Sequence, residues 1–410
     1  MKRRKRAVAV ATVAFLVFLT GCATFSVDTA ERVADTTGQA GEAASSGLSA
    51  SLRYNAEFKD VYPNEYRSFI EGALLMEEDG TAHSHANLRN RVEQDPQLLE
   101  VGAPCLSCKT AEFNELYATY GREVFTLPYA QVTGEVGDYF SCLTCHASGI
   151  PAEGADASLV TYTTYASEFL TTVDPQTAAC GQCHNATCDY PRKLLPLQEN
   201  ARLEDFNPYR YGSDADALRR AVREDGMTMY PDEELGITVD YLGHPDIELF
   251  QGSQHQEQGL TCVSCHMPYE TNEQGEQYRT HNASGSPLNN EQAMRYCLSC
   301  HASLGVGSTN EMRQFVRARQ SALGAQEAEV LDGLDRLKAR IVEAEAGGAT
   351  DPATLRQAKE YYADASYYYS FQHAGADIPG GKVAHASARM YRYLEQSLSL
   401  IKEANALLQA

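Results

Sequence analysis

The sequence predicts a mainly α-helical fold, built of short helices and loops over most of its length and of long helices at its C-terminal end. Three observations predict it. Five Cys-x-x-Cys pairs lie between residues 105 and 300, in a region that carries almost no strand pattern. Beyond residue 305 apolar side chains recur at helical spacing. The composition, 410 residues with 43% hydrophobic and 22% charged, is that of a globular protein long enough for a sizeable core. The formal charge of −21 excludes nucleic acid as a partner, since phosphate binding needs a basic face. The sequence holds no second apolar run of 18 or more residues, which excludes a polytopic membrane protein.

The N-terminus reads as an export signal. Lys2, Arg3, Arg4, Lys5 and Arg6 form a basic head, Ala7 to Phe18 a short apolar run, and Leu19-Thr20-Gly21-Cys22 follows. This end resembles a bacterial lipobox, which implies cleavage before Cys22, acylation of its thiol and an extracytoplasmic chain held by lipid at the outer face of the cell membrane, or periplasmic. The expected organisation is a lipoprotein signal peptide over 1–21, a flexible tether rich in Ala, Gly, Ser and Thr over 22–53, a catalytic domain over 54–304, and a long-helix region over 305–410.

The cysteines carry the chemistry. Cys105/Cys108, Cys142/Cys145, Cys180/Cys183, Cys262/Cys265 and Cys297/Cys300 form five pairs, where chance gives well under one. Four are followed at once by histidine: His146, His184, His266 and His301. That is the attachment motif of c-type haem: two thiols add across the porphyrin vinyl groups, and the adjacent imidazole ligates the iron. Zinc coordination places no demand for a histidine after each pair. A disulfide within so short a loop would be strained. The expectation is a multihaem cytochrome c fold with five covalent haems, whose porphyrins supply much of the apolar core. In the fifth motif Cys105-Leu106-Ser107-Cys108 is followed by Lys109. An amine binds iron only when deprotonated, and a desolvated pocket favours that form. A haem ligated so unusually is expected to keep its other face open for substrate.

A first motif ending in Lys and four ending in His resemble the ammonia-forming pentahaem cytochrome c nitrite reductases. Tyr62-Pro63 and Tyr66 are similar to that family's N-terminal stretch. The run from His244-Pro245-Asp246 through Glu248, Gly252 and His255 to Cys262-Val263-Ser264-Cys265-His266-Met267-Pro268-Tyr269 is similar to its central signature. The resemblance spans about residues 54 to 400. It implies that His255 is the distal ligand of the Cys297 haem, His281 of the Cys142 haem and His373 of the Cys262 haem, with either His83 or His85 serving the Cys180 haem. It implies that His244 and Arg89, the latter within Asn87-Leu88-Arg89-Asn90, act in the active site, with Arg91 as the substitute for Arg89. His385 has no role in this scheme and reads as a surface or packing residue.

The pattern breaks beside the third motif. The family carries there a calcium-binding Glu and a catalytic Tyr, where this chain has Ala186 and Thr187. Before the active-site histidine the family carries Lys-x-Gln, where this chain has Tyr241 and Gly243. Both halves lack the oxygen-bearing side chains a hard cation needs, so no calcium is expected in the family position. Tyr190 is the candidate to replace the missing tyrosine. The unpaired Cys188 beside it is either its covalent partner or an inert buried thiol.

Met312, Phe315, Val316, Leu323, Val330, Leu331, Leu334, Leu337, Ile341 and Val342 set one long helix, which Gly347-Gly348 stops. Thr350-Asp351-Pro352 starts the next with a cap and a first-turn proline. A last amphipathic helix runs from about Val383 to Leu408 through Leu394, Leu398 and Ile401. In the family such helices form a dimer interface, so a homodimer is expected. The tyrosines 361, 362, 367, 368 and 369 read as packing. The resemblance implies reduction of nitrite, a small anionic substrate, to ammonium, with electrons from a quinol-linked or soluble multihaem cytochrome. The missing tyrosine and calcium ligands leave hydroxylamine, sulfite or tetrathionate as alternative substrates. A non-catalytic electron-transfer cytochrome is the alternative class.

Overall fold

The computed structural model describes residues 55–78, 106, 110–137, 141–146, 173–186, 212–224, 230–240, 242–283, 286–373 (backbone alone for His373) and 378–409. These all fall within the unit Gly47–Ala410. Cys22, His83, His85, Arg89, Cys105, Cys108, Lys109 and Tyr190 lie outside the described residues.

The N-terminal part is an array of short helices: α1 (Pro63–Glu78), α2 (Phe113–Tyr120), α3 (Tyr129–Val132), α4 (Pro175–Gly181), α5 (Ala215–Glu224), α6 (Asp246–Phe250), α7 (Gln254–Glu257), α8 (Cys262–His266) and α9 (Glu291–His301). Two hairpins of three-residue strands interrupt it, β1 (Tyr230–Asp232) with β2 (Ile237–Val239) and β3 (Tyr269–Thr271) with β4 (Gln277–Arg279). The helices start where the side chains dictate. Asp174 caps α4, accepting from Gln176 N–H with Pro175 in the first turn. Asn290 caps α9, accepting from the N–H groups of Gln292 and Ala293.

Three long helices follow: α10 (Thr309–Gly347), α11 (Pro352–His373) and α12 (Val383–Leu407). Ser308 caps α10, and Gly348 ends it in the left-handed region at φ 64°. Asp351 accepts from Ala353 N–H at 3.0 Å and Thr354 N–H at 3.1 Å, starting α11 at the expected proline. Leu323, Val330, Leu334, Leu337 and Ile341 of α10 meet Ala365, Tyr367 and Phe371 of α11 and Met390, Leu394 and Ile401 of α12 in one core. Leu331, expected on the apolar face of α10, is instead exposed, because it turns away from its buried neighbour Val330. Phe315 and Val316 pack into a separate small cluster with Ala293 and Met294 of α9. Among the described residues no helix is long and apolar enough to cross a membrane.

Two contacts join the long helices to the short ones. Arg219 of α5 is ion-paired to Asp240 and to Asp364 of α11, both at 2.6 Å, with its guanidinium over the Tyr367 ring. Arg389 of α12 donates to the carbonyls of Glu248 at 2.5 Å, Leu249 at 3.2 Å and Gln251 at 2.6 Å, closing the C-terminal end of α6. Gly252 follows at φ 68°, and a Cβ there would lie 3.2 Å from Arg389 Nη2. The turn before α12 is held as tightly. Glu327 of α10 accepts from Gly380 N–H at 2.9 Å, and a Cβ on Gly380 would collide with the Gln320 carbonyl. Helix α12 then breaks at Ala386, one residue after His385.

Candidate functional site

Each described Cys-x-x-Cys-His motif is built on a helical turn. In the second motif His146 N–H donates to Cys142 O at 2.9 Å, and in the third His184 N–H donates to Cys180 O at 2.9 Å. The fourth motif is α8 itself, with Thr261 and Ser264 forming a reciprocal capping box, and the fifth ends α9. Positions i, i+3 and i+4 of such a turn share one face, so both sulfurs and the imidazole can meet one macrocycle. The eight described motif cysteines are thiols, with no disulfide among them. Burial pushes Cys145 and Cys265 up to about 12. Among the described residues no group of cysteines converges on a metal position.

Of the eight described motif cysteines, seven are half-buried and one is exposed. Cys300 is exposed, whereas its motif partner Cys297 is half-buried. The cause lies in α9, whose buried residues are Ala293 and Met294, so that its last turn runs out along the surface. Cys183 is half-buried, as are the other six. It sits in the turn that follows α4, where its N–H donates to Cys180 O at 3.1 Å, beyond the buried Ala178 and Ala179 of that helix. Both thiols keep the i+3 position on their turns that a macrocycle edge requires.

Consecutive motifs touch. Gln182 Nε2 donates to Thr144 O at 3.0 Å, joining the third motif to the second. Thr261 Oγ1 donates to Gln176 Oε1 at 3.1 Å, joining the fourth to the third. There the Cys262 thiol contacts Cys180, a contact that together with burial raises it well above its usual range. Tyr296 shares a hydrogen bond with Ser264, joining the fifth to the fourth. The four motifs form a chain in sequence order.

Histidines from elsewhere in the sequence face the motif histidines. His281 stands opposite His146 with ring centroids 6.1 Å apart, and His255 opposite His301 at 6.2 Å. These are the two pairings that the family resemblance implies. The third pair differs: the ring opposite His266 is that of His385, at 6.4 Å, where the resemblance implies His373 and leaves His385 as a packing residue. The cause is the turn before α12, which Glu327 and Gly380 pin to α10 and which delivers His385 to the fourth motif. His373 lies at the end of α11, with its side chain outside the described residues. Sequence reasoning misses His385 because nothing adjacent marks it.

The three separations test whether the residues fit haem. Two metal–imidazole bonds of about 2 Å each, plus the radii of two rings, give a centroid separation of roughly 6 Å. All three pairs stand at that span. Ligating histidines must also be neutral. Burial and the nearby His385 push His266 down to about 4, and burial lowers His281 and His301 below the ordinary histidine value. Two distal candidates have their Nδ1 engaged by the backbone, His281 on Arg279 O at 2.9 Å and His255 on Ala384 O at 2.8 Å. That leaves Nε2 as the ligating atom. The residues fit iron held by two histidines.

His244 lies beside the third motif, its ring 5.6 Å from that of His184. Backbone bonds fix it there: His244 N–H donates to Asn185 O at 3.1 Å, Gly243 N–H to Ala186 O at 2.9 Å and Ile247 N–H to His184 O at 3.1 Å. Ala186, in the place of the family's calcium-binding Glu, is buried, and its N–H donates to Glu248 Oε2 at 3.0 Å. Burial raises Glu248 to about 8 despite that bond. Asp246 touches His184, Lys382 and His385. Its place in His-Pro-Asp was visible in the sequence, but its partners, distant along the chain, were not. Thr187, Cys188 and Tyr241 lie outside the described residues.

Comparison with known proteins places these features. Residues 82–410 match the protein family described as Cytochrome c552. The chain is 26% identical over 264 residues to cytochrome c-552 of Maridesulfovibrio salexigens, covering 56% of this chain and 48% of that protein. It is 24% identical over 360 residues to cytochrome c-552 of Haemophilus influenzae strain 86-028NP, covering 75% of this chain and 64% of that one. The matches therefore span about half to two thirds of those relatives' length. Among solved structures, cytochrome c nitrite reductase from Desulfovibrio desulfuricans superposes with a TM-score of 0.64 at 16% identity, over 88% of this chain and 87% of that one. That likeness shows a shared multihaem fold.

Proposed function

The chain belongs to the cytochrome c552 family, and from that premise we propose that it is a pentahaem reductase that converts nitrite to ammonium at a haem held by Cys105, Cys108 and Lys109. The observation that carries the reading is the chain of four histidine motifs, three of them faced by a second histidine at the span of a six-coordinate iron. Such haems have no open position and pass electrons only. The motif ending in Lys109 is then the one left for substrate.

With haem bound, that motif supplies a Lewis-acid iron and access to the electrons of its neighbours. The protein does the rest. Lys109 Nζ gives up its proton to become a ligand. Arg89 binds the anion and balances charge that develops on its leaving oxygens. His244, fixed by its backbone bonds beside the third motif, holds and delivers protons. Nitrite nitrogen passes from +3 to −3, so electrons must arrive in quick succession, and contiguous motifs answer that need. We propose His385 as the distal ligand at His266 in place of His373, and His83 or His85 as the partner of His184.

A second substrate reading rests on one observation. Ala186 presents no side-chain oxygen where the family has its calcium-binding Glu, and Thr187 stands where the family has its catalytic Tyr. Hydroxylamine, sulfite or tetrathionate is the alternative, with Tyr190 as the replacement group. Lipidation at Cys22, an extracytoplasmic location, a homodimer through the long helices and a quinol-linked or soluble multihaem donor complete the proposal. A lipid anchor on Cys22 would raise the local concentration of such a donor.

The test is spectroscopic and kinetic. The holoprotein should show one high-spin haem that binds nitrite, and Lys109→Met should alter that signal alone. His385→Ala should convert one low-spin haem to high spin, and His373→Ala none. Steady-state turnover of nitrite above that of hydroxylamine and sulfite supports the first substrate. Five uniformly low-spin haems would reduce the protein to an electron carrier.

A further inference from the structure

One carboxylate lies between ligands of two different haem motifs. Asp246, in the first turn of α6, has Oδ2 3.0 Å from His184 Nδ1, in hydrogen-bond range, and Oδ1 3.4 Å from His385 Nδ1, a charge contact rather than an aligned hydrogen bond. His184 belongs to the third motif and His385 faces His266 of the fourth. The same Oδ1 is 2.8 Å from Lys382 Nζ, whose side chain is only 5% exposed. Asp246 itself is 16% exposed. A buried carboxylate needs a counter-charge, and Lys382 supplies it.

The other distal histidines are anchored differently. His281 and His255 have Nδ1 against neutral backbone carbonyls, at 2.9 Å and 2.8 Å. A full negative charge on the Nδ1–H of a ligating imidazole makes the ring a stronger donor to its metal than a neutral carbonyl does. A stronger donor favours the oxidised iron. The arrangement therefore singles out two neighbouring haems, the third from its proximal side and the fourth from its distal side.

We propose that Asp246 is a positioning residue shared by the third and fourth haems, orienting the His184 and His385 imidazoles and lowering both reduction potentials together. The inference rests on the haem ligation proposed for these two histidines and is independent of the substrate. Lys382 supplies the counter-charge to the carboxylate. An ordinary structural ion pair between α6 and the turn before α12 would require only Lys382 and would leave the potentials alone.

Spectroelectrochemical titration of the holoprotein separates the two, with haem content measured alongside. Asp246→Asn should raise two of the five potentials, each by about a tenfold change in its one-electron equilibrium, about 59 mV, and leave the other three in place. Asp246→Glu keeps the charge on a longer arm and should move the same two potentials by less. If Asp246→Asn does not incorporate its full haem complement, Asp246→Glu carries the test alone. A shift of one haem only, an equal shift of all five, or no shift at full haem content would overturn the proposal. A protein without a high-spin nitrite-binding haem would refute the substrate reading and leave this one standing.

Discussion

Glu248 is a buried acid that gains a partner without gaining a charge to pair with. Its Oε2 accepts from Ala186 N–H, and burial still raises it to about 8 from an ordinary 4.5. Between those values the folded chain keeps a proton that the unfolded chain has released. Stability is therefore complete below the unfolded value and falls as pH rises toward 8, by about 1.4 kcal/mol for each unit of that window. Denaturant midpoints measured from pH 6.5 to pH 8, above the range in which the lowered His266 adds stability, should fall for the native sequence and fall less for Glu248→Gln. At this scale the sequence was legible wherever chemistry demands neighbours in the chain. Thioether attachment and proximal ligation fall within five consecutive residues, so Cys262 to His266 could be read at sight. How deep each thiol sits could not, since the exposure of Cys300 depends on where α9 leaves the core. A distal ligand obeys no such local rule. His373 and His385 are equally plain as letters, and only the turn that Gly380 packs against Gln320 decides which ring reaches His266. His255 and His281, which the resemblance implies, do stand opposite His301 and His146. At the C-terminal end, where the quoted motifs do not extend, the ring beside His266 is that of His385.

Helix α6 is five residues long and could not persist in isolation. It is held by what it touches: Ile247, Leu249 and Phe250 are buried, and Arg389 closes its last carbonyls. That short helix carries Asp246 at one end and Glu248 in the middle, so its anchoring sets the geometry of two motifs. Arg389→Ala should lower stability by about 3 kcal/mol, since it strands buried carbonyls of Glu248 and Leu249, and should disturb the low-spin spectra of the third and fourth haems more than the others. Thermal melts paired with haem spectra check both. Arg389→Lys should recover only part, because one ammonium cannot span three carbonyls. The long helices were legible to within a residue or two, since caps and stop signals mark them: Ser308, Gly348, Asp351 and Pro352 all act as their types require. The apolar face of α10 was less so. Leu331 follows the helical count loosely, and only the placement of α11 and α12 shows that Val330 is the inward residue.

For the molecule as a whole, the expected boundary at residue 304 divides the sequence but not the chemistry. The region beyond it contributes His385 opposite the fourth motif and the Ala384 carbonyl that anchors His255 of the fifth pair. In the full chain, His385→Ala should therefore give one additional high-spin haem, with the second-motif haem, whose partner His281 remains, unchanged. Magnetic circular dichroism of the variant and native chains reads both. Because His385 lies far along the chain from the fourth motif, that motif's coordination under the proposed ligation is completed only when the last helix docks. Until the turn held by Glu327 and Gly380 has closed, the fourth iron keeps one coordination position unfilled.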